Sequence, residues 1–187
     1  MDVVEAVLEF WFGRPGSSDH GRPRAIWFKK NAAFDSAIRV RFRDDYERAA
    51  GGGLDDLLSS ARECLALVIL LDQFPRNLFR GMAKAFAADP KARHVAAQAV
   101  ARGFDRAVSD TERRFFYLPF EHSESLADQE RSLALFTAVA DPESIDYAIR
   151  HLEIIRRFGR FPHRNLALGR ASTEAERAFL AQPGSAF

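Results

Sequence analysis

Apolar residues recur along this chain at three- and four-residue spacing, and the pattern breaks at glycine and proline. Val4, Val7, Leu8 and Trp11 trace one face of a short first helix, with Asp2 placed to cap it and Gly13 followed by Pro15 to stop it. A Gly/Ser/Pro-rich connection runs from Gly13 to Pro23. Beyond it Trp27, Phe34, Ile38, Phe42 and Tyr46 form one face of a second helical region, ended by Gly51, Gly52 and Gly53. Asp55 or Asp56 is placed to cap a third helix, whose run from Leu65 to Leu71 is apolar all round and predicts a central, enclosed helix. Phe74-Pro75 is expected to terminate it, because proline disfavours helical geometry in the residue before it.

The second half repeats these devices. Asp89-Pro90 reads as an N-cap with proline in the first turn, opening a helix with Val95, Ala96, Ala99 and Val100 inward and Gly103 as its stop. A capping box from Ser109 to Glu112 opens a helix expected to end at Pro119, and another passes through Leu126, Leu133 and Phe136, with Ser123 or Ser125 as its cap. Asp141-Pro142 opens a helix with Ile145, Ala148, Ile149, Leu152 and Ile155 on one face and Gly159 beyond its end. A second box, Thr173 to Glu176, opens the last, with Phe179 and Leu180 apolar. The pattern predicts an all-α fold of about eight helices in antiparallel pairs, with no strand and no linker dividing residues 1–187. Trp11 is expected to be buried against the long apolar helix, and Phe12 and Phe187 are further large apolar groups near the termini.

Composition narrows the classes. At 187 residues the chain fits one domain, and 17 Phe suggest aromatic plugs between helices. A formal net charge of +1 offers no field that would concentrate nucleic acid. A lone cysteine, Cys64, excludes an internal disulfide and fits a reducing compartment. No secretory leader is evident, and the longest apolar run is too short to span a bilayer, so a cytoplasmic protein without membrane association is expected. There is no G-x-G-x-x-G, P-loop or G-x-S-x-G pattern, which removes the main nucleotide-binding and hydrolase fingerprints.

Candidate chemistry gathers at three motifs. Phe74-Pro75-Arg76-Asn77-Leu78 followed by Gly81 is echoed by Phe161-Pro162-His163-Arg164-Asn165-Leu166 followed by Gly169, with His163 inserted. Arginine and asparagine at such corners either satisfy carbonyls left open at a helix end or, where both corners face one cleft, form a fork for phosphate or carboxylate from Arg76, Arg160 and Arg164. The stretch from Arg150 to Arg170 holds six Arg against Glu153 alone, the most anion-friendly segment of the chain. Pro119-Phe120-Glu121-His122-Ser123-Glu124 places two carboxylates beside an imidazole, so Glu121 and His122 are the candidate proton-transfer pair. The candidate ligand-binding set is Asp72, Arg76, Asn77, Glu124, His151, Arg160, His163, Arg164 and Asn165. His151 borders the apolar face of its helix and reads first as a hydrogen-bonded border histidine. No spacing matches a metal-ligand signature, and neither a metal nor a cofactor is expected.

The segments Asp72-Gln73-Phe74-Pro75-Arg76-Asn77, Tyr117-Leu118-Pro119-Phe120-Glu121-His122-Ser123-Glu124 and Arg157-Phe158-Gly159-Arg160-Phe161-Pro162-His163-Arg164-Asn165 resemble a bacterial family known only as domain of unknown function 924. The likeness runs from Leu8-Glu9-Phe10-Trp11-Phe12-Gly13 to the closing Pro183-Gly184-Ser185-Ala186-Phe187. It implies a tetratricopeptide-like superhelix of helix pairs and no established activity, although the repeat's own Trp-Leu-Gly-Tyr pattern is absent here. Two functions stand as expectations. One is a pocket, anion-binding or hydrolytic, built from the three polar motifs for a small anionic molecule. The other is an adaptor that takes a peptide segment in a helical groove.

Overall fold

The computed structural model describes residues 2–185; Ala186 and Phe187, where the family resemblance closes, lie outside the described residues. Secondary structure among the described residues is helical throughout, with no strand, and no helix is long and apolar enough to cross a membrane. The chain's contacts group it into two compact units, one comprising the residues up to Arg80 with Lys84–Pro119, the other Gly81–Ala83 with the residues from Phe120 onward.

The first unit holds α1 (Val3–Phe12), α2 (Ala32–Ala50), α3 (Ala61–Val68), α4 (Phe74–Leu78), α5 (Asp89–Ala101) and all but the last turn of α6 (Asp110–Glu121). Trp11 is fully buried, stacked on Trp27 at 5.9 Å and edge-on to Phe74 and Phe115 at 5.6 and 5.8 Å. Trp27 is not on α2 as its spacing suggested. It sits in a 3-10 turn (Ala25–Trp27) where its indole N–H donates to the Trp11 carbonyl, and α2 begins only after Asn31, whose side chain accepts from the Phe34 amide.

Four local expectations fail for identifiable reasons. The cap of α3 is Ser60, in a full capping box with Glu63, rather than Asp55 or Asp56; Asp55 instead takes the Lys91 ammonium at 2.5 Å. The apolar run from Leu65 to Leu71 is wholly buried as predicted, but Phe74-Pro75 does not end the helix. A π-helical turn (Ile69–Gln73) leads directly into α4, which ends at Leu78. Widening that turn relieves the clash between the proline ring and the carbonyl four residues earlier, and it places Asp72 and Gln73 in the interior. Pro119 likewise lies inside α6, which continues to Glu121. The buried row Phe115, Phe116 and Tyr117 supplies packing that outweighs the roughly 3 kcal/mol cost of an internal proline. Asp89 is already the first residue of α5 rather than its cap, which is Ala88, and its carboxylate is engaged by Arg76; Gly103, left-handed at φ 73°, follows the helix end as expected. On α5 Ala92 joins Val95, Ala96 and Ala99 in the core while Val100 is half-buried.

In the second unit α7 (Leu126–Ala138) and α8 (Pro142–Phe158) are joined by three residues and pack along one another as an antiparallel hairpin. Asp141 caps α8 through the Ser144 amide, Gly159 ends it at φ 68°, and the Thr173–Glu176 box caps α9 (Glu174–Leu180), all as predicted. The inward faces are rotated from those expected. On α8 the buried stripe is Ser144, Ala148, His151, Leu152 and Ile155, with Ile145 half-buried and Ile149 exposed. On α7 it is Gln129, Ser132 and Phe136, while Leu126 is 45% exposed and Leu133 half-buried. Gln129 turns inward because its amide donates to the carbonyls of Glu121 and Ser123 at 2.5 and 2.7 Å, groups that the end of α6 leaves without helical partners. Ser125 precedes α7 without a side-chain cap; Ser123 Oγ accepts from the Ser125 amide and donates to Asp128.

Candidate functional site

In the first unit, the corner at α4 is an ion-pair lattice. Arg76 donates two parallel hydrogen bonds to Asp89, at 2.9 and 3.1 Å, and a third to the Asp72 carbonyl, with the Asp72 carboxylate 3.4 Å away. Burial opposes the charge of this guanidinium, but Asp72 and Asp89 outweigh it and hold the arginine still more firmly protonated than usual. Gln73 donates to Asp72 at 2.6 Å. Asn77 donates to Asp35, which also receives a forked pair of bonds from Arg80. Burial acts to raise the Asp35 carboxyl, and the bonds from Arg80 and Asn77 more than reverse it. The candidate residues Asp72, Arg76 and Asn77 are thus built into this unit as a brace.

The second unit contains two neighbouring arrangements. One is again a lattice. Glu124 accepts a bidentate pair from Arg170 at 2.8 and 2.9 Å and the Phe161 amide at 2.8 Å; these outweigh the burial that would raise its carboxyl, leaving it below the ordinary carboxylate range. Arg170 also donates to Asn165 Oδ1 and the Phe161 carbonyl, and Asn165 donates to Ser172. Arg160 forks onto Glu176 at 2.6 and 2.8 Å. That contact, with the Thr173 amide, pulls Glu176 down to about 2. Glu124, Arg160 and Asn165 therefore hold the 160–176 loop in place, and a surface cleft of ≈ 480 Å³ opens over the Arg160–Glu176 pair beside Arg157 and Phe158.

The other arrangement gathers Glu121, His122, His151, His163 and Arg164. Its centre is the fully buried Phe161 ring: His151 meets it edge-on at 5.6 Å, His163 lies 5.6 Å away, and the Arg164 guanidinium sits 4.6 Å over it. Glu121 Oε1 is 3.7 Å from His151 Nδ1. His151 Nδ1 lies 2.8 Å from the Tyr147 carbonyl, which can only accept, so the proton is on Nδ1 and the lone pair on Nε2. Burial pushes the His151 pKa down to about 3; the Tyr147 bond works against this, and the nearby His122, His163 and Arg164 add to it. His151 is consequently a neutral imidazole at physiological pH. Arg164 is buried, and His122 and His163 are half-buried at the edge of the cluster.

Several residues that organise these sites were not singled out by the sequence. Asp35, Asp89, Arg170 and Glu176 supply the partners of the candidate arginines, asparagine and glutamate; Asp89 and Glu176 were marked only as helix-start residues, and Asp35 and Arg170 carried no local signal. Gln129 and Ser132 were hidden because helical periodicity marks apolar positions as inward. Among the described residues no group of three or more His, Cys, Asp or Glu is arranged to hold a metal ion.

Comparison with known proteins agrees with the motifs. Residues 7–184 match the family described as "Bacterial protein of unknown function (DUF924)". The chain belongs to this family. Its structure is similar to that of a protein of unknown function from Agrobacterium tumefaciens, with 44% sequence identity and a TM-score of 0.86 over 96% of this chain and 97% of that one. No curated protein matches the chain.

Proposed function

We propose that the second unit binds a small anion, a phosphate or a carboxylate, at the Phe161 platform. The observation that carries this reading is the convergence of His163 and Arg164 on one buried aromatic ring, with His122 near enough to act electrostatically on the same His151. Arg164 would supply the permanent charge and His122 and His163 adjustable donors, a combination suited to oxyanions. Glu121 and the Nε2 lone pair of His151 would stand beside the bound group as proton acceptors. A cytoplasmic protein fits the buried thiol of Cys64, the chain's one cysteine, and the α7–α8 hairpin fits a tetratricopeptide-like pairing. A peptide-binding adaptor is the competing reading, favoured by Leu166, which stands 94% exposed on the same corner, although single exposed leucines are common on protein surfaces.

Isothermal titration with inorganic phosphate and citrate tests the proposal. Binding should weaken about 10- to 100-fold in Arg164→Ala, the loss expected for a charge-assisted hydrogen bond, and by less in His163→Ala. Unchanged affinity in both variants, or no binding by the native protein, would overturn it in favour of the adaptor.

A further inference from the structure

The inward stripe of α7 breaks the usual rule for helix burial. Gln129 and Ser132 are completely buried while Leu126, on the same helix, is 45% exposed. Gln129 spends its amide N–H groups on the Glu121 and Ser123 carbonyls, which leaves its Oε1 buried without a hydrogen-bond partner, and Ser132 Oγ is buried in the same condition. Buried polar atoms are nearly always paired, and a buried acceptor left unmet costs about 1–3 kcal/mol. Positions three apart on a helix are neighbours on its surface, roughly 5–6 Å between Cβ atoms, so one small group can reach both atoms. The antiparallel α7–α8 hairpin sets this pair opposite the buried face that carries His151, and Gln129 is bonded to the residue whose carboxylate lies 3.7 Å from that imidazole.

We infer that Gln129 and Ser132 form a hydroxyl-reading half of the anion site, so that the ligand is a small anion bearing an alcohol, of the hydroxy-acid or hydroxyalkyl-phosphate class. This rests on the anion site proposed above. A hydroxyl satisfies both atoms at once: its proton goes to Gln129 Oε1, and its oxygen accepts from the Ser132 hydroxyl. Sites that pair buried polar groups with a ligand hydroxyl discriminate strongly against the analogue lacking it, because those groups are then left unpaired.

The experiment is titration of the full-length protein with two matched pairs, lactate against propionate and glycerol 1-phosphate against propyl phosphate, in the native chain and in Ser132→Ala. The hydroxylated member should bind about tenfold more tightly or better in the native protein. In Ser132→Ala that preference should shrink to about twofold or less, with the affinity for propionate and propyl phosphate unchanged. Equal affinity within each pair, or a preference that survives the substitution, overturns the hydroxyl assignment while leaving the anion site standing. Failure of all four compounds to bind the native protein overturns both.

Discussion

The corner at α4 and the corner after α8 carry Phe, Pro, Arg, Asn and Leu in the same order, yet the structure uses them differently. In the first, proline is absorbed by a π-helical turn, the chain stays helical through Leu78, and Arg76 is held between Asp72 and Asp89. In the second, left-handed Gly159 ends α8 first, the segment with the inserted His163 forms a tight 3-10 turn, and Arg164 lies over an aromatic ring among imidazoles. Asn77 and Asn165 are buried in both, and Gly81 and Gly169 are left-handed in both. The contrast lies in what holds each corner: Arg76 of the first forks onto Asp89, whereas the acid Glu124 beside the second is held by Arg170, beyond the motif. A shared motif thus recurs in two backbone settings, and the surrounding elements decide what its arginine packs against.

The largest expected effect follows from the first corner. Arg76→Ala removes the guanidinium between the buried carboxylates Asp72 and Asp89 and should cost about 3–5 kcal/mol of stability in urea unfolding. A loss below about 1 kcal/mol would remove the distinction drawn between the corners.

The second corner should show itself through pH. His151 has a pKa near 3 in the native protein against an ordinary value of 6.5, so between these values the unfolded chain takes a proton that the folded one refuses. Its contribution is complete above pH 6.5 and is lost as pH falls, by about 2–4 kcal/mol at pH 4. Glu176, lowered to about 2 from 4.5, adds a further loss only below pH 4.5. Unfolding free energies measured from pH 7 to 4 should therefore flatten in His151→Gln; an identical slope in that variant would place the titration elsewhere.

The smallest effect separates the two leucines. Leu166→Ala should change stability by no more than about 0.5 kcal/mol, because the side chain is already in solvent, whereas Leu78→Ala, at a buried position, should cost about 2–5 kcal/mol. Similar losses at both would show that the second corner is covered.

Helix type and number, the glycine stops after α5 and α8 and the capping boxes at Ser109 and Thr173 were legible because each rests on interactions within four or five residues of sequence. The prolines at 75 and 119 misled for the complementary reason, since their helix-breaking tendency is local and was outweighed by packing that sequence proximity does not reveal. The same holds for the chemistry. Residue types marked Glu121 and His122 as a pair and His151, His163 and Arg164 among nine ligand-binding candidates; the second unit gathers these five, whereas Asp72, Arg76, Asn77, Glu124, Arg160 and Asn165 lie in ion-pair and hydrogen-bond lattices. Sequence by itself determined an all-helical chain of this family, with its polar residues concentrated at helix ends. Only the tertiary structure decided which acids answer Arg76, Arg160 and Arg170 and which face of α7 turns inward, because ion pairing and burial depend on partners 13 to 46 residues away, beyond the reach of any local pattern.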